Sequence, residues 1–461
     1  MSNLKMKANW EKPNFKMPKV LLWDVTTKCN LECLHCYNAD KYNHAVHIKE
    51  MSLQEIKDMI NGLKEAGITQ IHFLGGEPFC RKDLFEIITH AKEKDILISI
   101  NTNGTLINDF VSNQILKSGV DQLVFSLDGP NEFVNDLIRG KNVFNKCTES
   151  IQLLSNLRVN GYPKIAISWT ITKLSFQNTQ IVKMMFDLCE KLKVDALLVN
   201  LLFECGAAQK NGETLDYEFN DALFLLEEVA FYSTQYKNFK VQIDARPLVL
   251  DYLNLKYGSN FLITNKGTQC KGSKSHFMLR ADGKLFPCAP LDSNVSLNFN
   301  KQFLNNFNPP NVTESSFSES IQSSFFRKWS ELTSSIVLQK RLPGCAECYY
   351  GDICEPCPIT YENIEPEECT TVKPKFDNWL SSQFNNIPRI NETLSLDDNG
   401  LTEQLSDYSL SLLPLMNGKN SVGDIIECIM HKNERHSRYN ILHSTLTLIS
   451  HLKSKGFITI N

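Results

Sequence analysis

The chain has 461 residues, enough for two or three domains, and its 42% hydrophobic and 22% charged content suits a globular protein with a sizeable core. Its 48 basic and 52 acidic residues leave a formal net charge of −4, which argues against a nucleic-acid partner and against an acidic solvating tail. Residues 1–20 are polar with scattered lysines and no apolar h-region, and no apolar run approaches the ~18–20 residues that span a bilayer. Secretion and membrane spanning are thus excluded as first readings, and a cytoplasmic protein is expected. Fifteen cysteines break the ordinary profile. A reduced compartment disfavours a disulfide scaffold and an odd total forbids complete pairing within the chain, so clustered cysteines point to metal or iron–sulfur ligation.

After a Lys-, Asn- and Pro-rich leader (1–17), strand and helix patterns alternate. A strand is expected over 20–26, then a helix over 52–66 opened by the capping box Ser52-Leu53-Gln54-Glu55. Strand 70–74, helix 82–94, strand 97–102, helix 107–118, strand 121–126, helix 146–160, strand 165–171, helix 180–191 and strand 196–202 continue the series. Six β units with helical crossovers predict an α/β fold, a parallel sheet or incomplete (β/α)6 barrel over 18–236. From about residue 237 the alternation stops, and 237–376 reads as a loop-rich second domain. Within it, 291–326 is an Asn- and Ser-rich insertion expected to be loosely structured. The remainder, 377–461, reads as a compact terminal module. It has short strand-like pieces (389–396, 401–406), a helix-compatible apolar segment (409–416), helices over 422–430 and 439–455, and a last strand over 457–460.

The sharpest motif is Cys29-x3-Cys33-x2-Cys36, just after the first strand, at the sheet edge where such folds place their chemistry. A structural zinc site would need a fourth ligand nearby, and His35 is badly placed to supply it. A cubane held by three thiolates instead leaves one iron open to bind and activate something. Gly75-Gly76-Glu77-Pro78 follows the second strand, Asn101-Thr102-Asn103-Gly104 the third and Ser126-Leu127-Asp128-Gly129 the fourth, with Arg139 in Leu137-Ile138-Arg139-Gly140. Each of these alone also reads as a turn, and Arg139 as a solvated surface residue.

Together, over about 20–202, these motifs resemble the signature of radical S-adenosylmethionine (SAM) enzymes. The resemblance implies a 4Fe-4S cluster on Cys29, Cys33 and Cys36 whose open iron chelates the methionine end of SAM. One-electron reduction then cleaves the sulfonium to a 5′-deoxyadenosyl radical that abstracts a hydrogen atom. It also implies SAM contacts from His35 beside the adenine, and from Gly75, Gly76 and Glu77 at the ammonium, with Glu77 as the catalytic candidate. Asn103, Ser126 and Asp128 would meet the ribose and carboxylate, and Arg139 the carboxylate.

A second group, Cys270, Cys288, Cys345, Cys348, Cys354, Cys357 and Cys369, resembles the SPASM extension, which carries two auxiliary 4Fe-4S clusters. By position, Cys345, Cys348, Cys354 and Cys369 would hold one, and Cys270, Cys288 and Cys357 the other. The gap between Cys354 and Cys357 is one residue short of the usual pattern. The second of these clusters is left with three ligands and a candidate open iron. A zinc ribbon on Cys345, Cys348, Cys354 and Cys357 is the alternative. Cys147, Cys189 and Cys428 fall in helical patterns as small buried hydrophobes, and Cys80 and Cys205 near the barrel mouth are read as structural.

The terminal module resembles a PqqD-like domain, a small winged helix whose edge strand pairs with a leader peptide. From residue 390 it carries six basic against eight acidic residues, which disfavours DNA. The function expected is a radical SAM/SPASM maturase that forms an oxidative cross-link, a Cys thioether to carbon, in a ribosomally made precursor peptide. Its partners would be that peptide with its leader and an electron donor such as flavodoxin or ferredoxin. Peptide epimerisation, carbon–carbon cross-linking and sulfatase (formylglycine) maturation are the enzymatic alternatives, and an iron–sulfur or zinc-binding regulator the non-enzymatic one.

Overall fold

The computed structural model describes residues 19–39, 48–178, 180–259, 261, 272–293, 303–339, 367–384, 388–390, 412–432, 438–454 and 458–460. Strands β1 (Lys19–Asp24), β2 (Ile68–Leu74), β3 (Leu97–Thr102), β4 (Gln122–Ser126), β5 (Lys164–Thr170), β6 (Ala196–Asn200) and β7 (Lys240–Asp244) lie side by side in chain order, all parallel. Strand β8 (His276–Leu279) adds in parallel to the free edge of β1, and β9 (Leu285–Phe286) returns antiparallel to it.

Alternation along each strand explains the layering. Leu21 and Trp23, Ile71 and Phe73, Ile98 and Ile100, Leu123 and Phe125, Ile165, Ile167 and Trp169, and Leu197 and Val199 are buried on one face. Their neighbours on the other face are largely polar: Gln70, His72, Ser99, Asn101, Ser126, Ser168, Thr170 and Asn200. A parallel sheet buried on both faces reads as continuous apolar runs, so this alternation marks a second face of more polar character. Crossover helices supply the apolar cover: α1 (Leu53–Leu63), α2 (Leu84–Lys92), α3 (Asp109–Ser118), α4 (Glu132–Arg139), α5 (Val143–Leu157) and α6 (Ile181–Leu192). The Ser52–Glu55 capping box opens α1 as expected, with Ser52 N–H and Oγ each 2.7 Å from Glu55 Oε2.

Three expectations need correction. The six-strand count is too low, because alternation continues past residue 237 through β7 and resumes with β8. Only four and five residues long, β8 and β7 give too short a periodic signal to stand out. Helix α4 was not expected. It buries Val134 and Ile138 but leaves Phe133 (67%) and Leu137 (49%) exposed, so its apolar pattern is doubled and its period obscured. Finally, the Asn- and Ser-rich insertion is in good part ordered. Helix Phe317–Ile321 forms there and helix Ser324–Gln339 begins at its end, and Phe303 packs ring to ring with Phe325 of the insertion and with Trp329 beyond it at 5.2–5.7 Å, because well-spaced aromatics anchor an otherwise polar stretch.

In the terminal region, helices Val422–Lys432 and Arg438–Ser454 accompany a two-stranded antiparallel sheet, Pro388–Ile390 with Ile458–Ile460. The leader, the strand-like piece expected over 401–406 and most of the one over 389–396 lie outside the described residues. Among the described residues no helix is long and apolar enough to cross a membrane.

Candidate active site

The loop leaving β1 carries Cys29, Cys33 and Cys36 across the C-terminal edge of the sheet and is held by contacts that spare the thiols. Gly76 N–H donates to Thr26 O (2.9 Å) and Glu77 N–H to Lys28 O (2.7 Å). Leu34 N–H donates to Ile138 O (2.9 Å), and Ala207 N–H to Cys36 O (2.9 Å). Such close backbone approach requires glycine. A Cβ on Gly76 would lie 2.0 Å from Lys28 O, and one on Gly206 would lie 2.4 Å from Cys36 O.

Further supports come from residues that no motif announced. Glu50 Oε1 accepts from Thr26 Oγ1 (2.8 Å), Thr27 N–H (2.7 Å) and Thr27 Oγ1 (2.9 Å). Asn211 Nδ2 donates to Leu34 O at 2.9 Å. Tyr37 OH donates to Asp24 Oδ1 (3.2 Å) and Asn38 Nδ2 to Gly75 O (3.0 Å). The Asp24, Glu50 and Asn211 contacts join residues 13 to 177 positions apart, so local spacing carried no signal for them.

Burial pushes the Cys29 thiol up to about 12 and the Cys33 thiol up to about 11, with Arg139 opposing the rise at Cys33; Cys36 is raised by burial as well. The three are therefore neutral thiols at pH 7 and must release protons to bind metal. Among the described residues no three His, Cys, Asp or Glu side chains are grouped to hold a single metal ion. A cubane binds each thiolate to a different iron and needs no such convergence. Leu31 N–H already points at Cys29 Sγ (3.4 Å), the kind of donor that stabilises a thiolate.

Glu77 sits beneath this loop, 1% exposed. It accepts from Thr102 Oγ1 (2.8 Å), Asn103 N–H (2.8 Å) and Phe79 N–H (3.3 Å). Burial outweighs these donors and raises its carboxyl to about 7. Asn103 reaches back to the cysteine loop, Nδ2 to Asn30 Oδ1 at 3.0 Å. The motifs after β2 and β3 thus interlock with the one after β1.

On the opposite flank, Asp128 is fully buried after β4. Its Oδ1 accepts from Thr170 N–H (2.9 Å), while Oδ2 lies 2.6 Å from Arg139 Nε and 2.9 Å from His35 Nε2. Burial alone would raise this carboxyl, but Arg139 and His35 outweigh it and hold it well below the usual range. His35, Asp128 and Arg139, expected as separate cofactor contacts, here contact one another. Ser126 ends β4, in register with Ser168 of β5.

Cys288 follows β9 and Cys369 lies in helix Glu367–Phe384, both partly exposed. Cys270, Cys345, Cys348, Cys354 and Cys357 lie outside the described residues. Cys147, Cys189 and Cys205 are buried.

Residues 23–186 match the Radical SAM superfamily model. Over 192 residues the chain is 35% identical to the Fe-coproporphyrin III synthase of Methanosarcina barkeri, covering 41% of this chain and 46% of that protein. Over 156 residues it is 32% identical to the mycofactocin maturase MftC of Mycolicibacterium smegmatis, covering 34% and 38% respectively. The chain thus spans less than half the length of either relative. The structure of Streptococcus suis SuiB bound to S-adenosylmethionine is similar at a TM-score of 0.56 and 19% identity, covering 77% of this chain and 76% of that one, a likeness of fold. Residues 23–186 therefore form a Radical SAM domain.

Proposed function

We propose that this enzyme is a maturase that installs an oxidative cross-link, a Cys thioether to carbon, in a ribosomally made peptide. The observation that carries the reading is the cysteine loop itself, three thiols on a segment fixed through its backbone against Glu77 and Ile138 and through side chains against Asn103 and Arg139. Peptide substrates are supported by two relatives: MftC is a mycofactocin maturase, and SuiB has been solved bound to the precursor peptide SuiA.

Cys29, Cys33 and Cys36 would hold a 4Fe-4S cluster, and Gly75, Gly76, Glu77, Asn103 and Ser126 would hold SAM. When bound, cluster and SAM supply the radical that takes a hydrogen atom from the substrate. Glu77 offers a carboxylate poised to ionise near neutral pH, suited to an ammonium group. Asp128 acts through His35 and Arg139, both of which lie against its Oδ2. Cys345, Cys348, Cys354 and Cys369, with Cys270, Cys288 and Cys357, would hold two auxiliary 4Fe-4S clusters that accept the substrate electron. A flavodoxin or ferredoxin would reduce the first cluster. The terminal module would bind the leader peptide by strand addition, since main-chain pairing makes little sequence demand.

Anaerobically reconstituted protein should hold about twelve irons, and the Cys29→Ala/Cys33→Ala/Cys36→Ala variant about eight, with no 5′-deoxyadenosine formed. SAM cleavage retained in that variant overturns the assignment. Removing residues 390–461 should preserve SAM cleavage and iron content while abolishing peptide modification. Full-rate modification by the truncated enzyme removes the leader-binding role. The match to an Fe-coproporphyrin III synthase sustains a second reading, a tetrapyrrole substrate, which porphyrin turnover in the same assay would establish.

A further inference from the structure

The arginine expected to meet the SAM carboxylate faces groups of this chain. Arg139 is the last residue of α4, and the turn after it is pinned by Asp136, which accepts from Asn142 N–H (2.6 Å) and Phe144 N–H (2.8 Å). Its side chain is only 10% exposed, and each guanidinium nitrogen faces a group of this chain. Nε lies 2.6 Å from Asp128 Oδ2, Nη1 3.9 Å from Cys33 Sγ and Nη2 3.5 Å from His35 Nε2. The backbone repeats the contact, since Cys33 Sγ lies 3.9 Å from Arg139 O and Leu34 N–H donates to Ile138 O at 2.9 Å. Helix end and cysteine loop are thus joined twice, through main chain and through charge.

We infer that Arg139 is a positioning residue for the Cys33 limb of the cluster, its charge favouring the reduced state, with buried Asp128 as the counter-charge that limits this effect. The inference rests on the cluster reading above. A cluster with three thiolates gains negative charge on reduction, and a fixed cation beside one sulfur stabilises the reduced form more than the oxidised one. A hydrogen bond to a ligand sulfur acts in the same sense. Asp128 opposes it from the far side of the guanidinium, so the two residues should act on the potential in opposite directions. A purely structural pair would not.

The test is an EPR-monitored redox titration, with dithionite and mediators, of anaerobically reconstituted wild type, R139Q, R139K and D128N. The signal followed is the one absent from the triple-cysteine variant. SAM affinity is measured in parallel by equilibrium binding. R139Q should move the midpoint to more negative potential and D128N to more positive potential, with R139K closer to wild type. Shifts of the same sign in R139Q and D128N, or no shift in either, overturn the inference. So does an unmoved R139Q midpoint with tenfold weaker SAM binding, which makes Arg139 a carboxylate contact instead. Should R139Q fail to load iron, D128N decides alone, and an unmoved midpoint there is refuting. If the triple-cysteine variant keeps all its iron, the cluster assignment itself fails, a result separate from any of these.

Discussion

Replacing Gly76 by alanine should unseat the cysteine loop from the glutamate beside it. The new methyl would sit 2.0 Å from Lys28 O, 2.4 Å from Lys28 C and 3.0 Å from Cys29 N, all backbone atoms that no rotamer change can move. Restoring ordinary contact separates the two chains by more than about 1 Å. That breaks the bonds from Gly76 N–H to Thr26 O (2.9 Å) and from Glu77 N–H to Lys28 O (2.7 Å). Each is worth about 1 kcal/mol net, and each buried donor left unsatisfied costs about 1–3 kcal/mol, so the local penalty is about 2–6 kcal/mol. Because the loop opens locally, the larger effect falls on the site. Gly76→Ala should load about four fewer irons than wild type and lose SAM binding, while its circular dichroism stays that of a folded α/β protein. Urea denaturation, iron analysis and equilibrium SAM binding check the three parts. Wild-type stability together with wild-type iron content and SAM affinity would falsify the packing argument.

Two further substitutions probe the same neighbourhood. Glu77, raised by burial from 4.5 to about 7, keeps its proton in the folded state while the unfolded chain loses it. Metal-free wild type should therefore lose stability relative to Glu77→Gln as pH rises from about 4.5 to 7, by about 3 kcal/mol in all. Urea midpoints of both proteins across that range test this, and parallel curves would show that Glu77 does not carry the shift. Asn211→Ala deletes the 2.9 Å bond to Leu34 O. It should cost about 1 kcal/mol and speed iron release to a chelator, measured as the rate of loss of the cluster absorbance. Unchanged release would mean that the other contacts suffice to hold the loop.

Sequence alone was enough for the features whose physics is local. Six strands were legible because alternating apolar residues along a strand and stripes along the crossover helices are short-range patterns. The cysteine spacing, the paired glycines before Glu77 and the Asn-Gly and Asp-Gly turns were legible because each lies within a few residues, right after a strand. Tertiary structure decided everything that depended on contacts between distant parts of the chain. Strand β8 takes its place beside β1 only through pairing across more than 200 residues, as Val20 with His276. Glu50 and Asn211 become supports of the cysteine loop only when the fold brings them to it. Arg139 illustrates the difference most directly. Its position after the Asp128 turn marks it as a cation near the site, but which anion it meets depends on how the end of α4 packs on the loop 106 residues earlier. In the folded chain the distances put that charge against Asp128, with Cys33 beside it, because a buried guanidinium must find a counter-charge within the protein.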